Sequence, residues 1–301
     1  MRKAVISLFL VSAVVTGCGS AQHTPTTMGP PSTGEFRQLT DAEQLRISDA
    51  QQVLMGACMR RQGFEFWEVE RRSLAESRTL GYVLDDVAWA RTYGYGSRID
   101  ARDSAARAAN PNLAYRKGLS EQRRDAYDEA LDQGVDAPET SVEIPGGGTL
   151  SRQMGGCVAE AEKQLYGDPQ EWFRAEKIAG HLRSLYVPRV LADRRFAAAQ
   201  TAWSRCMKRA GYAFEDPGDS RQAAVARSGR VADPKVFAAE RKLAVADATC
   251  ARDADLRSIG EERESHYIDQ LRDRYGEALD TYARLQGQAL DRAKKIVGPR
   301  T

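Results

Sequence analysis

The sequence predicts a mainly α-helical protein: a helical bundle made of two duplicated, disulfide-stapled helical units, the first carrying a large loop-rich aromatic insertion. Three observations carry that prediction. A short stretch occurs twice, as Cys58-Met59-Arg60-Arg61-Gln62-Gly63-Phe64-Glu65-Phe66 and as Cys206-Met207-Lys208-Arg209-Ala210-Gly211-Tyr212-Ala213-Phe214. The chain has only 5 Cys and 6 Met, so agreement anchored on both, followed by Gly and an aromatic at the same offsets, reads as an internal duplication. Apolar residues recur at steps of three and four behind N-cap signals, which is the helical period. Four cysteines remain for pairing once Cys18 is assigned elsewhere, as follows.

Residues 1–17 open with Arg2 and Lys3, continue through the apolar run Ala4 to Val15, and lead to Val15-Thr16-Gly17-Cys18. This is the pattern of a secretory signal peptide, and about a dozen apolar residues fall short of a membrane span. Val-Thr-Gly-Cys resembles the bacterial lipobox, which implies that Cys18 carries the lipid attachment and becomes the first mature residue. Acyl chains, palmitate among them, then hold the protein at the extracytoplasmic face of the membrane. Residues 18–37, rich in Thr, Pro, Gly and Ser, read as a flexible tether. The first helical unit is expected over 38–187, with its insertion at about 67–150, and the second over 188–301, the two packed as one folded body.

Removing residues 1–17 takes away Arg2 and Lys3, so Lys+Arg falls from 44 to 42 against 42 Asp+Glu. A neutral chain with interleaved signs lacks the basic footprint of phosphate binding, so no nucleic-acid partner is expected. In an oxidising compartment Cys58, Cys157, Cys206 and Cys250 predict two disulfides. Of the three connectivities, the duplication favours Cys58 with Cys157 and Cys206 with Cys250, each worth up to about 4–5 kcal/mol in loop entropy. A zinc site is the rival, but the cysteines are widely spaced and the histidines are only His23, His181 and His266.

Thr40 with Glu43 predicts a capping box at the start of the first helix, which runs into the first motif copy. Gly63 is placed as the left-handed residue after that helix, with Phe64 packing back onto Met59, and Gly211, Tyr212 and Met207 repeat the arrangement. The insertion holds Trp67, Tyr82, Trp89, Tyr93 and Tyr95, and a helix is expected from Ser120. Any strand should lie around Val142 to Ile144, ahead of the turn Pro145-Gly146-Gly147-Gly148. A helix over Gly156 to Gly167 and a restart at Asp168-Pro169 follow. Pro188 is expected to kink or break the next run, and Asp233-Pro234 to open the last helical region. As one rod that region would reach ~95 Å, so a break is expected at Gly260 or Gly276. Its stripe of Ile268, Leu271, Tyr275, Leu279, Tyr282, Leu285, Ala289 and Ile296 is expected to face the protein's own core.

The lipobox, the two Cys-Met-x-Arg-x-Gly-aromatic copies, Tyr93-Gly94-Tyr95, Pro145-Gly146-Gly147-Gly148 and Trp203-Ser204-x-Cys206-Met207 together resemble a loose group of secreted lipoproteins of high-GC Gram-positive bacteria, the actinobacteria. An excess of 35 Arg over 9 Lys fits a GC-rich genome. The resemblance implies location and architecture and carries no activity.

The chain has no Gly-x-Ser-x-Gly, no His-Glu-x-x-His and no Walker loop, and few histidines for acid–base work, so no catalytic residue, cofactor or metal is expected. Glu215, Asp216 and Asp219 match a calcium loop only in composition. The expected ligand surface is the insertion, through Trp67, Asp85, Asp86, Trp89, Tyr93 and Tyr95, although packing of these rings onto the helices is the favoured role. The expected function is a non-catalytic binding module at the cell envelope, facing an envelope protein or glycan. The alternative is a cell-wall glycan hydrolase with carboxylates such as Asp85 or Glu65 as acid and base, which requires two carboxylates to converge in one cleft.

Overall fold

The computed structural model describes residues 39–69, 72–78, 80–134, 136–226 and 233–298. The expected signal peptide, Cys18 and the expected tether over 18–37 lie outside them. Helix α1 (Asp41–Arg61) starts at the expected capping box: Glu43 N–H donates to Thr40 Oγ1 at 3.3 Å, and Thr40 N–H donates to Glu43 Oε2 at 2.9 Å. It ends as the motif predicts. Gly63 has φ 78°, Phe64 N–H reaches Met59 O at 3.0 Å, and Gly63 N–H reaches Arg60 O at 3.1 Å, a Schellman cap. Helix α9 (Arg194–Arg209) ends in the same construction, with Gly211 at φ 89°, Tyr212 N–H on Met207 O at 2.9 Å and Gly211 N–H on Lys208 O at 3.1 Å.

Between those two ends come α2 (Val87–Tyr93), α3 (Ser97–Ala108), α4 (Pro111–Gly118), α5 (Glu121–Asp128) and a π-helical segment over Glu129–Gln133. A hairpin of β1 (Glu139–Glu143) and β2 (Thr149–Gln153) follows, with Val142 opposite Leu150. Its turn uses Gly146, Gly147 and Gly148, all at positive φ, so the glycine run is the permissive turn between two strands. Next are α6 (Gly156–Tyr166), α7 (Pro169–His181) and α8 (Arg183–Leu191) before α9, then α10 (Pro217–Val225), α11 (Pro234–Asp253), α12 (Leu256–Asp269) and α13 (Arg272–Ile296). Ser120, Asp168 and Asp233 cap α5, α7 and α11 through their side chains.

Two expected breaks are corrected. Pro188 lies inside α8, and the chain turns at Leu182 and at Ala192-Asp193 instead. The last helical region breaks at Asp255, which takes the left-handed conformation at φ 51°, and at Gln270-Leu271, leaving Gly260 and Gly276 inside helices. An interior glycine costs a helix only about 1 kcal/mol. Gly260 is needed for contact, since a Cβ there would stand 3.0 Å from Tyr82 Oη and 3.3 Å from the Phe196 ring.

The cysteines pair as Cys58–Cys157, joining α1 to α6, and Cys206–Cys250, joining α9 to α11, each with Cα atoms 5.5 Å apart. Around the second disulfide, Val83, Leu84, Trp89, Tyr95 and Ile99 are buried with Trp203, Met207, Leu243 and Leu256. Around the first, Met59, Phe64 and Tyr127 form a smaller cluster. A third core packs Ile47 and Ala50 of α1 and Leu165 of α6 against Leu285, Ala289, Leu290 and Ala293 of α13. The aromatic segment over 80–99 thus packs on α9 and α11, and the C-terminal helix packs back on α1. The apolar stripe of α12 and α13 is covered by the protein's own core, and the described residues belong to one compact unit.

Candidate functional site

The chain leaves the cap of α1 as an irregular run from Phe64 to Val69, and α4 fixes that run. Asn110 caps α4 by accepting from Asn112 N–H at 2.9 Å, which orients Asn112 toward the run. Asn112 Oδ1 accepts from Trp67 N–H at 2.9 Å, and Asn112 Nδ2 donates to Trp67 O at 2.8 Å, so the backbone of Trp67 is held at both ends. The indole packs edge-on to Tyr115, with centroids 5.7 Å apart; Tyr115 meets Tyr127 at 6.0 Å, and Tyr127 meets Phe64 at 5.4 Å. Aromatic contacts therefore run from a Trp67 that is 40 % exposed to the buried helix cap beside the Cys58–Cys157 disulfide.

Beside this ladder is a hollow of about 520 Å³ lined in part by Gln52, Met55, Phe66, Val69, Leu113, Leu131 and Asp132. Arg116 also lines it, paired through Nε and Nη2 with Asp128, and that guanidinium holds the Asp128 carboxyl below its ordinary value. Trp67, Val69 and Leu113 are three of the six large apolar side chains that stand exposed among the described residues, Val69 at 64 % and Leu113 at 47 %. Val69 and Leu113 line the hollow, and Trp67 follows its lining residue Phe66 in the chain. The wall formed by Leu131, Asp132 and Gln133 belongs to the π-helical segment, a geometry frequent at functional sites. Gly155 and Gly156 permit it: a Cβ on Gly155 would stand 2.1 Å from Gln133 O, and one on Gly156 2.6 Å from Leu131 C.

The other residues of the expected ligand surface lie elsewhere and mostly perform structural work. Asp85 pairs with Arg257 Nε at 2.5 Å. Asp86 caps α2 by accepting from Trp89 N–H at 2.9 Å, which with the Arg78 guanidinium keeps its carboxyl below the ordinary value. Trp89 and Tyr95 are core residues, 7 % and 8 % exposed, and Trp89 Nε1 donates to Ala75 O at 2.8 Å. Tyr93 is half-buried against Trp89. Glu65 is exposed on the irregular run. Asp216 and Glu215, the faint calcium candidates, cap α10 and pair with Lys208, and no group of side chains among the described residues is arranged to hold a metal ion.

Tyr95 is the centre of a closed polar cluster. Its hydroxyl donates to Asp247 Oδ2 at 2.7 Å and lies 2.9 Å from Ser220 Oγ, while Trp203 Nε1 donates to Asp247 Oδ1 at 2.8 Å. Tyr95 N–H also donates to Glu240 Oε1 at 2.9 Å, and Ser97 Oγ donates to Glu240 Oε2. Two acids two turns apart on α11 thus grip the Gly94-Tyr95-Gly96-Ser97 turn. Gly94 is obligatory, since a Cβ would meet Glu240 Oε1 at 2.6 Å. Burial raises the Asp247 carboxyl above its ordinary value, with partial relief from the Tyr95, Ser220 and Trp203 hydrogen bonds.

Outside this cluster a cleft of about 350 Å³ is lined by Arg72, Glu76, Trp89, Tyr95 and Asp100 among others. Glu76 is held below its ordinary value by Arg102 and by Ser73, with Arg102 Nη1 at 2.8 Å. Asp100 is pushed up by burial and by Asp103. Two carboxylates of the segment between α1 and β1, Glu76 and Asp100, therefore share one cleft, which Asp85 and Glu65, the examples offered by the sequence, do not line.

Fold and hollow define a disulfide-linked, mainly helical protein with an open hollow of mixed apolar and polar lining. No protein-family model, no curated protein and no solved structure matches the chain. No helix among the described residues is long and apolar enough to cross a membrane.

Proposed function

We propose that this chain is an extracytoplasmic, lipid-anchored lipoprotein of the actinobacterial type, acting as a non-catalytic binding module at the cell envelope. The signal-peptide pattern and the lipobox at Cys18 support the location. The observation that carries the binding role is the pair of exposed side chains Val69 and Leu113 on one hollow, with exposed Trp67 next in the chain to its lining residue Phe66. A held, exposed Trp beside a hollow with Met55, Phe66 and Leu131 in its wall has the composition of an association hot spot. The matching caps of α1 and α9 and the two disulfides support descent of the helical units from a duplication, with the residues between Phe66 and β2 as the insertion.

The test has two arms. Labelling with a palmitate analogue should mark the wild-type chain and leave Cys18→Ser unlabelled. Crosslinking and pull-down with intact envelope should retain a partner that is lost with Trp67→Ser and Leu113→Ser. Recovery of the same material by wild type and both variants would remove the hollow from the account.

A hydrolase is the second reading, favoured by the opposed shifts of Glu76 and Asp100 in one cleft, the division expected of an acid and a base. Against it, Glu76 already accepts hydrogen bonds from Ser73 and Arg102. Clearing of purified cell wall by the wild type and its loss with Asp100→Asn would establish this reading in place of the first.

A further inference from the structure

We infer that the hollow beside Trp67 seats an apolar side-chain run carried on a positively charged peptide segment of a partner protein. This rests on the reading of the hollow as the recognition surface and adds the chemistry of what it recognises.

The apolar half of the inference comes from the lining. Met55, Phe66 and Leu131 line a space of about 520 Å³, with exposed Val69 and Leu113 beside it. That volume is in the range of formed ligand pockets and takes more than one side chain.

The charged half comes from the ion pairs. Among the described residues Arg116 is the one cation lining the hollow, and both Nε and Nη2 are committed to Asp128. Asp132 also lines it, and its carboxylate has no hydrogen-bond or ion-pair partner among the described residues. Glu68, next in the chain to Val69, is exposed and likewise unpartnered among those residues. Among the described lining residues the sum is one uncompensated negative charge, that of Asp132, while alongside the lining exposed Glu68 is matched by the exposed Arg60 guanidinium beside Phe66. A cationic partner is attracted and an anionic one repelled, which sets selectivity more than affinity.

A sugar would have to be held by the polar side chains of the wall. Asn112 is used on the Trp67 backbone, Asn110 Oδ1 on Asn112 N–H, and Arg116 and Asp128 on each other, which leaves Gln52, Asp132 and Gln133. Aliphatic Val69 and Leu113, the exposed apolar side chains of the wall, match an apolar peptide side chain rather than a sugar ring.

The test is binding of fluorescent short peptides to the full-length chain in detergent. One peptide carries leucine and phenylalanine flanked by lysines, a second has glutamates for the lysines, a third has serines for the apolar residues, and an uncharged N-acetylglucosamine oligomer competes. The lysine peptide should bind about fivefold tighter than the glutamate peptide at low salt, with the gap closing at high salt. Asp132→Asn should narrow that gap about twofold, and Leu113→Ser should weaken both peptides while the serine peptide stays unbound. Equal binding of lysine and glutamate peptides, still sensitive to Leu113→Ser, would overturn the cationic partner and leave the recognition surface standing. Peptide binding indifferent to Leu113→Ser would overturn the surface itself. Displacement of bound peptide by the sugar oligomer would overturn the peptide assignment.

Discussion

Tyr95 Oη donates to Asp247 Oδ2 at 2.7 Å across 152 residues of sequence, at a site where Asp247 has no exposed surface. The bond ties the turn between α2 and α3 to the middle of α11. Ser220 Oγ, 2.9 Å from Asp247 Oδ2, also lies 3.1 Å from Pro217 O. That extra acceptor gives the Ser220 hydroxyl a second partner, so a chain of hydrogen bonds links Tyr95, Asp247, Ser220 and the Pro217 carbonyl, with Trp203 Nε1 on the other carboxyl oxygen. Tyr95→Phe breaks this chain, and urea denaturation should show a loss of about 1–2 kcal/mol. Asp247→Asn keeps a donor and an acceptor in the same shape, so it should cost less than Asp247→Ala, which strands Trp203 Nε1 and Tyr95 Oη and should cost about 3 kcal/mol.

The same acid sets a pH dependence. Burial raises the folded-state pKa of Asp247 above the ordinary 3.8. As pH rises from 3.8 toward the folded-state value, the folded protein retains a proton that the unfolded chain has released. Stability from this group is full below the unfolded value and falls across that window. Asp86 and Asp128 have lowered values and act oppositely, losing stability on the acid side. The stability of Asp247→Asn relative to wild type should therefore increase with pH when urea midpoints are compared between about pH 4 and pH 8. A constant difference would show that Asp247 folds ionised.

Much of this was readable from the sequence because it was written in local chemistry. Thr40 with Glu43, Gly63 with Phe64 and Met59, and Asp-Pro pairs at 168 and 233 each satisfy backbone groups within a few residues, so spacing alone placed them. The cysteine partners were favoured by the repeat of Cys58 in Cys206. What could not be read was long-range. The length of the last helical region made Gly260 look like a break, whereas the packing of Tyr82 and Phe196 makes it a contact site. Packing was the favoured role for Trp89 and Tyr95, but what they pack on was hidden, because nothing local reveals that Glu240 and Asp247 hold the Tyr95 turn. Leu113, Asp132 and the π-helical wall of the hollow were missed altogether. The one signal for them was Gly155-Gly156 ahead of Cys157, whose missing side chains admit that segment.

The second disulfide closes a span of 44 residues between α9 and α11. Replacing Cys206 and Cys250 together by Ser should lower stability by up to about 4 kcal/mol. The α9–α11 contact also holds the Tyr95 turn, so near-ultraviolet circular dichroism of Trp203 and Tyr95 should change with it. A variant as stable as wild type would show that this link contributes nothing to the native state.

The twin caps allow a matched comparison. A Cβ on Gly63 or Gly211 would meet nothing within 4 Å, so the cost of Ala at either position is the left-handed backbone alone. Both substitutions should destabilise by about 1 kcal/mol and by similar amounts. A large difference between them would show that the two helix ends are not equivalent in energy.

Recognition through the hollow beside Trp67 is the central claim, and site-specific photocrosslinking tests it most directly. A photoreactive phenylalanine analogue at position 113 lies on the hollow, and the same group at position 191, also at an exposed leucine, lies on α8 as the control. On intact envelope, the account predicts a discrete crosslinked partner from position 113 and none from position 191. Equal crosslinking from both positions, or a partner captured from position 191 alone, would contradict it.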